Sequence, residues 1–108
     1  MGHSLMAPRP VDKVLAAPAE LTLDFRTAFR RTAGEMLDAL PEGSGRLIVD
    51  LAGTRHVDSA GLGTLMLVQR KAAERRLRVS LRGASEELRF LLVLTKLDDL
   101  FEIDGGTQ

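Results

Sequence analysis

The stretch Val57-Asp58-Ser59-Ala60-Gly61-Leu62-Gly63 holds the residues best suited to chemistry: a carboxylate and a hydroxyl side by side at the start of a helix-spaced apolar segment. The first backbone N–H groups of a helix lack intrahelical acceptors and lie at its positive dipole end, so an anion attached to Ser59 would meet several donors. Ser59 is therefore a chemically sensible phosphate acceptor. Gly61 has no side chain and Ala60 only a methyl group, so a partner's backbone or a nucleotide phosphate has room to approach there. The commoner role of Asp58 or Ser59 in such a position is simply to cap the helix.

Other chemistries find less to work with. His56, Asp58 and Ser59 are too close together in one loop to adopt a relay geometry. Gly61-Leu62-Gly63 is not a dinucleotide fingerprint, because the third glycine of that pattern falls on Met66, and no Walker lysine occurs. The chain has no cysteine, and its two histidines, His3 and His56, are too few for most metal sites. With no paired carboxylates in an acid/base arrangement, the expectation is a non-enzyme without catalytic residues, metal or cofactor. Any ATP in its chemistry must be held by a partner.

A strand-loop-helix unit must carry the Asp58-Ser59 pair, and the chain supplies one. Leu47-Ile48-Val49-Asp50-Leu51 is a near-continuous apolar run typical of a covered strand. After the loop Gly53-Thr54-Arg55-His56, the spacing of Leu62, Leu65, Met66, Ala72 and Ala73 predicts a helix to about Arg75. Upstream, Val11 to Leu15 and Leu21-Thr22-Leu23, separated by Pro18, read as one or two short edge strands. A helix then follows from an Asp24 N-cap through Phe25, Ala28, Phe29, Met36, Leu37 and Leu40. Pro41 to Gly45 is turn chemistry. Leu77 to Arg82 alternates as a strand, Ser85 caps a third helix to about Thr95 with Glu86 and Glu87 in its first turn, and a last strand lies around Leu100 to Ile103. This alternation predicts an α/β domain with a mixed sheet of four to five strands and helices packed on it. Residues 11–104 form that domain, between a flexible lead-in (1–10) and a flexible end (105–108). No internal repeat or linker is present.

The 108 residues carry 15 Lys+Arg against 15 Asp+Glu, and 44% are apolar. A chain this long buries roughly two-thirds of its unfolded surface, enough for one core without staples. Zero net charge argues against broad electrostatic capture of nucleic acid or an anionic membrane. The aromatics are Phe25, Phe29, Phe90 and Phe101, and three of them fall where a helix or strand turns them inward, which leaves little for stacking on single strands. The longest uncharged run, Ser59 to Gln69, is far short of a membrane span. Met1 to Pro10 shows no secretory pattern, and the absence of cysteine suits a reducing cytosol. A cytoplasmic protein without direct nucleic-acid binding or membrane insertion is expected.

Asp58-Ser59-Ala60-Gly61-Leu62-Gly63, following the Leu47 to Leu51 strand and paired with the ending Leu97-Asp98-Asp99-Leu100-Phe101, resembles the STAS domain of bacterial anti-sigma factor antagonists over about Leu21 to Ile103. The resemblance implies a STAS fold and phosphorylation of Ser59 by an anti-sigma kinase. It also implies a partner surface of Asp24, Asp58, Ser59, Ala60, Gly61, Leu62 and Gly63, and possible reversal by a phosphatase. Asp58 would either sharpen the repulsion from a Ser59 phosphate or bond the backbone of its own loop. Antagonists usually show Gly-Glu-Leu-Asp at the front end; this chain has Ala19-Glu20-Leu21-Thr22, so Thr22 replaces an acid that contacts the kinase and Asp24 is the candidate substitute. A related STAS branch shares that short front end. It is similar to the small cytoplasmic subunit of phospholipid-transport ABC complexes, which docks on the ATPase through the same loop and helix.

Two further features have ordinary readings. Arg70, Lys71, Arg75, Arg76, Arg78 and Arg82 against Glu74 read as a solvated face, with contact to an acidic partner as the second reading. Phe90-Leu91-Leu92-Val93-Leu94 is apolar round most of a helix and is expected to be buried, with a dimer or partner contact as the second reading.

Overall fold

A computed structural model describes residues 11–104. The lead-in and the C-terminal tail expected from the sequence lie outside the described residues.

The element order is β1 (Val11–Ala16), β2 (Glu20–Leu21), α1 (Arg26–Ala39), β3 (Gly45–Asp50), β4 (His56–Val57), α2 (Ser59–Glu74), β5 (Arg78–Arg82), α3 (Glu86–Leu94), a 3-10 turn at Asp98–Leu100 and β6 (Glu102–Asp104). The main sheet has four strands in the order β1-β3-β5-β6, and β2 pairs separately with β4. Every described pair is parallel, where a mixed sheet was expected. The reason is connectivity: a helix separates each strand from its neighbour in the main sheet, and helical crossovers return the chain in the same direction.

Because each crossover steps the same way across the sheet, right-handed connections put all three helices on one face. The strand residues that meet them are Leu47, Val49, Val79 and Leu81, and the helices answer with Phe29, Ala33, Leu37, Leu65, Val68, Ala72, Leu88 and Leu92. The opposite face is charged. Arg46 holds Asp12 through two bonds (3.2 and 2.9 Å) and Glu102 at 3.2 Å, Arg78 meets Glu102 at 3.0 Å, and Arg82 meets Asp50 at 3.3 Å.

Several local expectations change. Helix α1 begins at Arg26 with Phe25 at its N-cap position and no side-chain cap, so Asp24 is not the cap; it sits in a turn closed by the Phe25 N–H on the Thr22 carbonyl (3.0 Å). The last strand starts at Glu102, because Asp98–Leu100 form the 3-10 turn. Ser85 caps α3 as expected, accepting from the Leu88 N–H at 3.1 Å. The α3 face is not fully buried: Leu88 and Leu92 point inward, but Phe90 (66%), Val93 and Leu94 are exposed. Phe25 is exposed as well, so only Phe29 and Phe101 turn inward. A nine-residue helix on the flank of the sheet has one side to cover, and α3 carries more apolar residues than that side takes.

The basic stretch is also more than a solvated face. The Arg75 guanidinium donates to the Leu37 carbonyl and to the Leu40 carbonyl (3.0 Å), satisfying the open C-terminal end of α1. Lys71 lies 3.5 Å from Asp38, while Arg78 and Arg82 belong to the ion pairs on the open sheet face.

Candidate functional site

The two-residue strands β2 and β4 position the site. Their register pairs Glu20 with His56 and Leu21 with Val57. Backbone bonds extend the ladder, with the Arg55 N–H on the Ala19 carbonyl (2.8 Å) and the Asp58 N–H on the Leu21 carbonyl (3.3 Å). The Thr54 hydroxyl donates to the Pro18 carbonyl at 2.8 Å. Segment 18–23 is thereby tied along the loop that leads into α2.

Asp58 completes the tie. One carboxylate oxygen accepts from the Gly61 N–H at 2.9 Å, which makes Asp58 the N-cap of α2, and the other accepts from the Leu23 N–H at 3.3 Å. The Gly61 amide, helped by the Leu23 and Ala60 amides and the charge of His56, holds the Asp58 carboxyl below the usual carboxylate range against a smaller opposing effect of desolvation. Of the two sequence readings of Asp58, bonding of its own backbone is the one the geometry shows.

Ser59 is the first residue of α2 and is exposed. Continuing from it at helical spacing, Gly63, Met66, Leu67 and Arg70 form the outer stripe of α2, with Met66 and Leu67 about two-fifths exposed. The inner stripe is Gly61, Thr64, Leu65, Val68 and Ala72, all buried. Ala60 and Leu62 are half-buried, and Leu62 packs against the core.

The two glycines of the motif do opposite things. A Cβ placed on Gly61 would stand 1.9 Å from the Leu21 carbonyl oxygen, so the space expected for a partner at Gly61 is already filled by this chain's own β2. A Cβ on Gly63 would meet nothing within 4 Å. The open approach is therefore at Gly63.

Asp24 is exposed, and the Leu23 amide bond to Asp58 brings it beside the start of α2. On either side of Asp24, Leu23 (60%) and Phe25 (51%) are exposed apolar side chains that sequence reasoning missed. Phe25 was concealed by its helical spacing to Phe29, and nothing local marks Leu23.

A groove of about 370 Å³ lies between α1 and α2, reaching α2 at Leu67, Val68 and Lys71, two turns beyond Ser59. Under the loop from Leu51 to Val57, against the start of α3, lies a cavity of only about 30 Å³, room for a water and not for a substrate. Among the described residues, no three His, Cys, Asp or Glu side chains cluster to hold a metal, and no helix is long and apolar enough to cross a membrane.

Residues 7–102 match the family model described as "Mlab, STAS domain". The chain belongs to the STAS family. A STAS-domain containing protein of Pseudomonas aeruginosa is 34% identical over 80 residues, which cover 74% of this chain and 71% of that protein. Among solved structures, a putative anti-sigma factor antagonist from Thermotoga maritima superposes with a TM-score of 0.70 at 22% identity, covering 91% of this chain and 85% of that one. The unphosphorylated anti-sigma factor antagonist SpoIIAA gives 0.69 at 16%, covering 94% and 86%. The STAS domain of a SulP transporter from Vibrio cholerae gives 0.63 at 22%, covering 90% and 75%. This STAS domain thus shares its fold with anti-sigma factor antagonists and with transporter domains alike, as the expected fold class required.

Proposed function

We propose that this STAS domain is an anti-sigma factor antagonist that works by reversible protein binding. Unphosphorylated, it captures an anti-sigma kinase through the N-terminal end of α2; phosphorylated on Ser59, it releases that kinase, which recaptures its sigma factor. The observation that carries the reading is the exposed Ser59 at the first position of α2, with Asp58 turned back onto its own backbone and open space at Gly63 one turn on. A phosphoryl group adds about −1.5 to −2 charges beside the Asp58 carboxylate, and an interface there must desolvate or pair them. A loss of about 3 kcal/mol weakens a complex roughly a hundredfold, enough for a switch. ATP is held by the partner, and a phosphatase restores the binding form.

A second reading, an accessory subunit docking on the ATPase of a phospholipid-transport ABC complex, is favoured by Thr22 in place of the front-end acid and by the description of the matching family model. In that reading the same end of α2 is the contact and no phosphate is needed.

Recovery of partners with and without ATP, followed by intact-mass analysis of wild type and Ser59→Ala, separates the two. One phosphoryl group on wild type only, with a small kinase-like ATPase bound without ATP and released with it, supports the antagonist. An ABC ATPase retained regardless of ATP, with no added mass, replaces that reading by the second.

A further inference from the structure

We infer that the groove between α1 and α2 receives an acidic helical segment of the protein partner, laid along Gly34 and Leu67 toward Gly63 and Ser59. This deepens the reading of α2 as a contact surface and rests on it. The groove has an apolar floor of Leu37 and Val68 with Leu67 on its rim, and Gly34 opens its wall on the α1 side.

Two features of α1 and α2 are unexplained by the fold itself. Gly34 lies mid-helix, where glycine is unfavourable. A Cβ there would meet only the tip of Lys71, at 3.4 Å, so packing does not demand a glycine. Gly63, inside α2, likewise faces open space. Both glycines keep this surface low where an outside backbone would come close, unlike Gly61, which β2 requires.

The second feature is charge. Helix α1 has no acidic residue in its first turn and no basic residue in its last; its arginines, Arg26, Arg30 and Arg31, sit in the first half, against its own dipole. Among the described residues, the ion pairs engage Lys71 with Asp38 but none involves Arg26, Arg30, Arg31 or Arg70. Two acids, Glu35 and Asp38, also line the groove, Asp38 in its pair with Lys71. Two cations outside any ion pair, Arg30 and Arg31 in the N-terminal half of α1, therefore border the groove against one such acid, Glu35. A helix with an apolar stripe and acidic flanks complements that combination. A phosphate on Ser59 would place negative charge at the start of α2, toward which the acidic segment runs, and oppose it.

The test titrates the isotope-labelled chain by NMR with two synthetic amphipathic helical peptides, one with a leucine stripe flanked by glutamates and the other with lysines in their place. The glutamate peptide is expected to shift the amides of Arg30, Gly34, Gly63, Leu67 and Lys71, to weaken with salt, and to bind at least tenfold less tightly to Gly34→Leu or to the Arg30→Glu, Arg31→Glu pair. Equal binding of both peptides, binding of neither, or shifts centred on Phe90 to Leu94 would overturn the proposal. Ser59→Asp separates it from the phosphorylation reading. If Gly34→Leu abolishes binding of a recovered natural partner and Ser59→Asp does not, the groove stands and the switch fails; the reverse result sinks the groove and leaves the switch.

Discussion

The α-carbon of Gly61 lies against the Leu21 carbonyl so closely that a methyl group built on it would stand 1.9 Å from the oxygen. A two-residue strand and the first turn of a helix, far apart in sequence, thus share one point of backbone contact, which the Asp58 carboxylate locks by bonding Leu23 on one side and Gly61 on the other.

That contact makes the glycines separable by stability. Gly61→Ala should cost about 3 kcal/mol, because backbone cannot swing aside as a flexible side chain does. Gly34→Ala and Gly63→Ala should each stabilise the chain by about 0.5–1 kcal/mol, as glycine inside a helix costs that much relative to alanine. Urea unfolding of the three variants is the check, and a stabilised Gly61→Ala would disprove the geometry.

Asp58 sets an acid-side dependence. Its carboxyl is held below its free value of 3.8 in the folded chain, so the ionised form favours folding. The contribution is complete above about pH 5, declines as the pH falls through the free value toward the folded one, and is unaffected on the alkaline side. Thermal midpoints of wild type and Asp58→Asn should therefore differ at neutral pH and converge in acid. A gap that persists at pH 2 would mean that the charge is irrelevant. Asp12 and Asp50 are lowered too, by Arg46 and by the Ala52 amide respectively, but they are common to both proteins and cancel in the difference.

Ser59→Asp should leave the fold intact, since an exposed acid in the first turn of a helix suits its dipole. Binding to the kinase partner should fall about a hundredfold, while Ser59→Ala should bind as tightly as wild type. A matched pair of melting curve and binding isotherm distinguishes this from unfolding: a fall in affinity accompanied by a lower midpoint would contradict the surface role.

The two faces of α3 should respond differently. Leu92 is fully buried, and Leu92→Ala should cost about 2–5 kcal/mol. Phe90 is two-thirds exposed, so Phe90→Ser should change stability by no more than about 0.5 kcal/mol. Denaturant midpoints for the pair decide it; equal losses would place Phe90 in a packed environment.

Arg75 tests a long-range cap. Arg75→Ala should destabilise by about 1–3 kcal/mol, because the Leu40 carbonyl loses its guanidinium donor and the Leu37 carbonyl keeps only the Leu40 N–H, and amide exchange should accelerate first in the last turn of α1. Exchange that rises uniformly would point instead to a global effect.

Periodicity and turn residues determine much of this protein locally. The Leu47 to Leu51 run, the helix after Asp58 and the Ser85 cap with its two glutamates are legible because each depends on residues within a turn or two of one another. Asp58-Ser59 at the head of a helix is legible for the same reason, and the quoted motif was sufficient to suggest the STAS family. The ends of α2 and α3 fall at the expected Arg75 and Thr95, although the chain leaves them through left-handed Arg76 and Lys96 and no glycine marks either end. Only the tertiary structure decided what depends on distant partners. Asp24 failed as a cap because Leu23 is held by Asp58, thirty-five residues on. Phe90 stayed outside because a helix on one face of a sheet has a limited inner side, and Phe25 because it lies in the turn before α1 rather than on the helix. The two motif glycines, identical in sequence terms, parted because β2 happens to run beneath Gly61 and nothing lies over Gly63. A pattern along the chain specifies which face of an element is apolar; the packing of other elements specifies what that face, or a gap in it, is left free to bind.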